Sequence, residues 1–392
     1  MRSGRRLEMT RTGGQVSGEP VVAGGWRAWL GLNASTASLL AAVLLVGMGT
    51  ELWSPLMPKY LDRLAAPIML IALYGAGRDL LHGVNYLLGG AIAGRVNTRR
   101  GLLLFNALPL IGLAVLLAWQ SRYAIFLALA FIGVWNSMAL PAVLSVIAGT
   151  LSSGRRTMAI ALQSIHRRLS MILAYGLSGA LVWLLGLTAG FRAALACSVA
   201  LIVLSLMIQW RFMQAASADR ALVMHRPWRT LVRLDRQLKR LLVSDILVRF
   251  GQGMARELII LFALPLIGGA VKDASAFYVS VLLTMAAVTS LVTYLPMGHV
   301  ASKPGLAKKP YIGMTFVFFT LFPLSLALLG PGLGRWGLVL AFLIRGLMEI
   351  GEPARKAMVV DLVHPELRTQ QIGLYWTSRA AAVWPAPLVG GA

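Results

Sequence analysis

Charged residues and cysteine are scarce in this sequence. Only 13% of its 392 residues are charged, whereas 58% are apolar and the mean hydropathy is +0.73. A chain with so little charge cannot supply the polar surface of a soluble domain. The single cysteine, Cys197, excludes an intramolecular disulfide, and nothing in the sequence suggests a metal site.

The sequence also lacks the motifs of common enzyme classes. It contains no Gly-Lys-Ser/Thr phosphate loop, no Gly-x-Ser-x-Gly turn and no paired-histidine metal motif. We therefore predict that the protein is not an enzyme and uses no cofactor and no metal. Without a nucleotide site, any transport by this chain would draw its energy from a gradient.

Long apolar runs are what the sequence has instead. A helix needs about 20 predominantly apolar residues to cross a bilayer, and eleven segments are candidates. They are 36–57, 67–93, 101–119, 123–150, 157–185, 190–213, 241–267, 275–299, 309–330, 336–360 and 369–390. The pattern predicts an all-α membrane protein whose first partner is the lipid bilayer.

The net charge of +23 is distributed unevenly along the chain. If the N-terminus is cytoplasmic, the cytoplasmic segments hold 22 basic residues and the opposite loops hold 6. This asymmetry is the positive-inside pattern of membrane proteins. It predicts a multi-pass protein of the inner (plasma) membrane with a cytoplasmic N-terminus, and it accounts for most of the charge without a nucleic-acid partner.

The chain repeats itself. One set of matched positions is offset by 212 residues and consists of Pro141 and Pro353, Arg167 and Arg379, and Gly179 and Gly391. Near the starts of the two copies, Gly47-Met-Gly49 matches Gly251-Gln-Gly253 at a slightly smaller offset. The pattern indicates a parallel duplication with small insertions in the second half.

A short basic loop after the second apolar run carries a recognisable signature. Its matching residues are Gly90, Arg95, Arg99 and Arg100, and those of a second copy are Gly298, Lys303 and Gly305. They resemble the loop between helices two and three of the major facilitator superfamily, in which Gly, Asp, basic and Gly positions precede paired basic residues. The Asp is replaced by Gly94 and Ser302 here. In the family that Asp helps to lock a conformational state through a charge at a helix end.

The resemblance implies a major facilitator fold of two parallel six-helix repeats with a substrate site between them. We expect a cytoplasmic N-terminal tail at 1–35, a first transmembrane half at 36–213, a cytoplasmic connector at 214–240 and a second half at 241–392. Only five helices of the second half are present, because the partner of the sixth helix would lie beyond residue 392. We interpret the sequence as a truncated copy of a twelve-helix protein; the alternative is a protein with eleven spans.

Ionisable residues inside the candidate spans are the expected functional groups. A charge near the bilayer centre costs at least ~2.5 kcal/mol on insertion scales, so it persists where it faces a cavity or a partner. The predicted substrate and proton pathway consists of Glu51, Arg78, Asp79, Arg167, Arg256, Arg345, Glu349, Glu352 and Arg379. The alternative is that these groups form static ion pairs that hold helices together or set topology.

Two patterns among these residues suggest roles. Arg345, Glu349, Glu352 and Lys356 are spaced so that one helix would present all four on one face. Glu349 beside Arg345 would alternate between charged and neutral forms, as proton coupling requires; alternatively it stays ionised against Arg345. Arginines at equivalent repeat positions would face the cavity from opposite halves and favour an anionic or zwitterionic substrate.

These observations predict a secondary active transporter that moves a small solute by alternating access, with protons as the coupling ion. A second hypothesis is a transporter-like sensor or scaffold that binds a ligand without moving it. A membrane-embedded enzyme is a remote third.

Overall fold

The computed structural model describes residues 34–93, 98–140, 153–212, 234–267, 272–301, 309–364 and 368–392, and all regular structure in these ranges is helical. The first half contains α1 (Ala34–Glu51), α2 (Met57–Arg63), α3 (Ile68–Ala93), α4 (Thr98–Ala118), α5 (Arg122–Ile132) and α6 (Ser153–Phe212). The second half contains α7 (Arg236–Arg256), α8 (Leu258–Ile267), α9 (Lys272–Ala301), α10 (Lys309–Leu333), α11 (Arg335–Leu347), α12 (Glu352–Leu362), α13 (Arg368–Val383) and α14 (Ala386–Gly391).

The 60-residue α6 is a hairpin of two helical arms. Gly186 has non-helical angles (φ 76°, ψ 169°), which a residue with a side chain rarely adopts. A Cβ added to Gly190 would lie 2.8 Å from the Cα of Val182. In a continuous helix these residues would be about 12 Å apart. The chain therefore folds back at Gly186, and α6 crosses the bundle twice.

All eleven predicted apolar runs overlap helices in the described ranges. Length and hydropathy alone qualify six of these helical segments to cross a membrane, and one of the six, Ser164–Phe212, contains both arms of α6. The runs that do not qualify are formed by α3, α7 with α8, α11 with α12, and α13 with α14. These are the runs that carry most of the ionisable residues, so the groups that form the site also lower the hydropathy.

Large apolar side chains cover much of the outside of the bundle. Leu247 is 69% exposed, Trp336 75% and Trp210 68%. Extensive apolar exposure of this kind is unfavourable in water and favourable against lipid. It fits a helical bundle immersed in a bilayer.

The two halves meet along two seams: the first arm of α6 packs against α9, and α3 packs against α13 and α14. On the first seam, a Cβ built on Gly179 would lie 3.0 Å from the Cβ of Ser280; on the second, one built on Gly391 would lie 2.6 Å from that of Ala72. Gly179 and Gly391 are 212 residues apart, and Ala72 and Ser280 are 208 apart. The two seams are therefore formed by equivalent positions of the repeat. This is expected when two parallel halves are related by a two-fold axis.

Two sequence predictions need correction here. Helix α7 begins at Arg236, five residues before the predicted 241, and Asp235 caps it by accepting a 2.7 Å hydrogen bond from the N–H of Gln237. The predicted continuous helix through 336–360 is broken between α11 and α12. Almost all of the predicted tail and most of the predicted connector lie outside the described residues.

Candidate functional site

A cavity of about 390 Å³ lies between the two halves, within the size range of small-molecule sites. Its wall carries eight basic and five acidic side chains, so it has a surplus of three positive charges. They are Glu51, Arg78, Asp79, Arg167, Arg168, Arg249, Arg256, Glu257, Arg345, Glu349, Glu352, Lys356 and Arg379. All nine residues of the predicted pathway are among them, and their roles in transport stay a prediction.

Four of these residues form the α3–α7 cluster, which ties the two halves together. Arg78 on α3 pairs with Glu257 at 2.5 Å, and Asp79 on α3 pairs with Arg256 at 2.9 Å. Arg256 also contacts Glu257 at 2.9 Å. Two cations and two anions cancel, so this cluster is neutral and joins α3 of the first half to the end of α7 in the second.

A second group of ion pairs is built around Asp245 on α7, which is only 2% exposed. Its carboxylate pairs with Arg355, with Arg379 at 3.3 Å and with Arg249 at 3.9 Å. The hydroxyl of Tyr375 also donates to it at 3.4 Å. Asp245 does not line the cavity itself, and its one negative charge is shared by three arginines.

Glu352 extends this group towards the cavity. It pairs with Arg355, with Lys356 at 3.4 Å and with Arg249 at 3.4 Å. Lys356 was predicted to lie on the same face as Glu352, but neither it nor Arg249 was among the predicted pathway residues. Both line the cavity.

The sequence suggested that Glu349 pairs with Arg345, but the described residues form no such pair. The Glu349 carboxylate lies 3.5 Å from Arg168 on α6 and 3.7 Å from Arg249 on α7. Arg168 also donates to the hydroxyl of Tyr294 at 3.3 Å. Because Arg168 belongs to the first half, Glu349 joins the halves in the same way as the α3–α7 cluster does.

The break between α11 and α12 explains this change of partner. Helix α11 ends at Leu347, a turn follows, and Thr315 on α10 accepts a 2.8 Å hydrogen bond from the N–H of Gly351. The regular spacing that would stack Glu349 over Arg345 is therefore interrupted. The signal was present in the sequence: Gly351 and Pro353 flank the start of α12, and proline is favoured in the first turn of a helix.

Three charged groups on the wall form no ion pair with any described residue. The guanidinium carbon of Arg345 lies 5.4 Å from the ring centres of Phe322 and Phe342, and Arg167 has no hydrogen bond to a described residue. From the described residues Glu51 accepts one hydrogen bond, at 3.2 Å from the Tyr175 hydroxyl. These groups can offer their charge to a solute in the cavity.

Arg167 and Arg379 line the same cavity from α6 and α13, which belong to opposite halves. Arg379 lies 3.3 Å from Asp245 and 4.1 Å from the ring centre of Trp376. Within the described ranges, therefore, Arg379 has an acidic partner and Arg167 has none. Ser164 and Trp376, which were not predicted, also line the cavity, each three residues before one of these arginines. The 212-residue repeat is the signal that pairs them.

The loop signature is described only in part. Gly90 lies in α3, Arg99 and Arg100 in α4, and Gly298 in α9. Arg95, Lys303 and Gly305 lie outside the described residues. The predicted role of this loop in conformational locking stays a prediction.

Membrane helices arranged in two equivalent halves around a charged central cavity are typical of a multi-pass transport protein. A family model places the chain more closely: the chain belongs to the Major Facilitator Superfamily, whose model matches residues 39–387. The predictions of fold, of family and of a transporter rather than an enzyme are thereby confirmed.

Solved structures share the fold at low sequence identity. The human organic anion transporter MFSD10 (TETRAN) is 16% identical with a TM-score of 0.66, over 91% of this chain and 92% of that chain. A mutant of the nucleoside transporter NupG is 13% identical with a TM-score of 0.69, over 92% of this chain and 91% of that chain. A search of curated proteins found no significant match.

Proposed function

We propose that this protein is a proton-coupled secondary transporter that moves a small anionic or zwitterionic solute by alternating access. The observation that carries the proposal is the cavity between the halves, where basic side chains outnumber acidic ones and Arg167 and Arg345 lack acidic partners among the described residues. A guanidinium suits carboxylate or phosphate groups through paired hydrogen bonds. One structural neighbour is an organic anion transporter, in agreement with this substrate class.

The ion pairs between the halves support the alternating-access part of the proposal. Arg78 with Glu257 and Arg256 with Asp79 join the halves in one cluster, and Arg168 with Glu349 joins them in another. If the halves rock against each other, each pair breaks in one state and re-forms in the other. Such pairs favour discrete states over a continuum.

Glu349 is the proposed coupling residue. When the halves separate, it loses Arg168, which is one of the two cations that stabilise its charged form. The carboxylate then takes up a proton more readily, and it releases the proton when the pair re-forms. Glu51 and Asp79 are the candidates in the first half; Glu51 has no cationic partner among the described residues, whereas Asp79 is paired with Arg256.

We propose an orientation and a location on the basis of the charge asymmetry of the sequence. We place the protein in the inner (plasma) membrane with its N-terminus in the cytoplasm, because most basic residues then lie in cytoplasmic segments. The end of the bundle near Arg100 is cytoplasmic in this orientation, and the end near Pro58 faces outwards.

The test is the variant Glu349→Gln in proteoliposomes with an imposed pH gradient. We expect gradient-driven accumulation of the solute to vanish while counterflow exchange survives, because exchange needs no net proton movement. Asp62→Asn is the control, since Asp62 pairs with Lys59 at 2.9 Å and lies outside the cavity. Unchanged accumulation in Glu349→Gln would remove Glu349 from the coupling mechanism.

A ligand sensor is the second candidate, favoured by the number of ion pairs that tie the halves together. The same proteoliposomes separate the two functions. A sensor binds the solute without flux in either direction, whereas a transporter exchanges labelled solute across the membrane.

A further inference from the structure

Besides the Tyr74 hydroxyl on α3, two buried hydrogen-bonding groups on the cavity wall have no hydrogen-bond partner among the described residues. They are the hydroxyl of Ser164 on α6 and the indole N–H of Trp376 on α13. Ser164 is only 3% exposed and Trp376 only 2%. Buried polar groups are nearly always paired, so unpaired ones at a cavity point to a ligand. The two residues are 212 apart and are therefore equivalent in the repeat.

Each of these donors has an arginine three residues further along its helix. Ser164 precedes Arg167, and Trp376 precedes Arg379; both arginines line the cavity. Residues three apart on a helix lie on one face, so each half presents a neutral donor beside a guanidinium. We call Ser164 with Arg167 and Trp376 with Arg379 the two donor pairs.

The donor pairs would be satisfied by hydrogen-bond acceptors. A guanidinium and an indole N–H can only donate hydrogen bonds, and the Ser164 hydroxyl is free to donate one. Arg167 has no partner in the described part of the chain. Arg379 shares the carboxylate of Asp245 with Arg355 and Arg249. A solute with oxyanion groups would satisfy both pairs at once.

The net charge of the side chains around the cavity indicates which solute charge the site favours. The described ionisable residues around the donor pairs, apart from the neutral α3–α7 cluster, are seven bases and four acids. They are Arg167, Arg168, Arg249, Arg345, Arg355, Lys356 and Arg379, with Glu51, Asp245, Glu349 and Glu352. A surplus of three positive charges is costly away from bulk water. A dianion offsets twice as much of it as a monoanion, and a zwitterion offsets none.

We propose that the two donor pairs form a dianion site that binds one solute between the halves, through two carboxylates or one phosphate. This inference rests on the proposed function, because it names the substrate class of that cavity. Since one donor pair comes from each half, a bound dianion holds Ser164 and Arg167 of the first half against Trp376 and Arg379 of the second.

The test measures binding to the purified full chain in lipid nanodiscs by calorimetry at constant ionic strength. The probes are succinate against butyrate, glutarate against pentanoate, and methyl phosphate, so that chain length is matched and charge differs. Trp376→Phe removes the N–H but keeps a ring beneath Arg379, and Ser164→Ala removes only the hydroxyl. Trp183→Phe is the control, because Trp183 is 67% exposed on the outside of the bundle.

We expect a dianion to bind more tightly than its matched monoanion. Trp376→Phe and Ser164→Ala should each weaken dianion binding by about tenfold or more, as loss of a hydrogen bond to a charged group does. The control should bind as the wild type does. The dicarboxylate and phosphate arms show which dianion is preferred, and preference for either supports the site.

Equal affinity for dianions and monoanions, or unchanged dianion affinity in both variants, would overturn the dianion site. This failure is distinct from failure of the proposed function, which would appear as an absence of exchange for every solute in proteoliposomes. A transporter that exchanges monoanionic or zwitterionic solutes but binds no dianion would keep the proposed function and refute only this site.

Discussion

Arg256 and Arg167 both line the cavity, but only Arg256 neutralises described carboxylates. Replacing Arg256 by Gln leaves Asp79 in the cavity wall without its cation, while Glu257 keeps Arg78. We expect Arg256→Gln to lower the free energy of unfolding by about 1–3 kcal/mol, less than for fully buried pairs because water reaches the cavity. Thermal unfolding in detergent measures the change.

Arg167→Gln is the matched comparison for that prediction. It removes the same charge from the same cavity without leaving a described carboxylate unpaired, so stability should stay constant or rise. An equal loss of stability in both variants would show that the Arg256 to Asp79 pair contributes nothing specific.

Single residues show where prediction from sequence ends. The need to hold charged groups away from lipid predicts that Glu349, Arg167 and Arg379 face a cavity, and they do. It does not predict their partners, because Glu349 pairs with Arg168, which is 181 residues earlier. Helical spacing selects partners within one helix, whereas the ion pairs here depend on which helices meet.

At the scale of helices, the turn of α6 has a demanding local conformation. Gly186 has a φ of 76°, which strains any residue with a Cβ. We expect Gly186→Ala to cost about 1–3 kcal/mol of stability, measured by thermal unfolding or by the yield of monodisperse protein. Gly176→Ala is the control, because Gly176 lies within the same helix and a Cβ there meets nothing within 4 Å.

An equal effect of the two alanine substitutions would mean that the backbone at Gly186 tolerates a side chain.

The sequence predicted separate helices on either side of this turn from their lengths alone. It did not predict the break after Leu347, because the apolar run continues through it. Gly351 and Pro353 are a local signal for the break, whereas its hydrogen bond to Thr315 on α10 joins segments that local sequence does not bring together.

At the scale of the whole molecule, motion of the halves can be tested at a seam. The Cβ built on Gly179 lies 3.0 Å from that of Ser280, and a disulfide needs about 3.5–4.5 Å, so a small shift admits one. With Cys197 replaced by Ser, Gly179→Cys and Ser280→Cys together should form a cross-link that holds this end of the seam closed. Uptake should fall to background and recover when a reductant is added.

The two single-cysteine variants are the controls, and they should transport at the same rate with and without reductant. A cross-linked protein that transports normally would show that this seam stays closed throughout the cycle.

The overall fold behind this test was predictable, because apolar runs, charge asymmetry and the internal repeat are all visible in the sequence. The packing of α6 on α9 was not, since it depends on contacts between distant segments.

The equivalence of the two seams also has an evolutionary consequence. A half-length ancestor that paired with a second copy of itself would have made the Gly179 to Ser280 contact and the Gly391 to Ala72 contact with one and the same pair of residues. Every mutation then changed both sides of the pore together. Fusion of two such copies into one gene would release this constraint, and one seam of this chain carries Ser280 where the other carries Ala72. The asymmetry between Arg167, which has no described acidic partner, and Arg379, which contacts Asp245, would become accessible only after such a fusion.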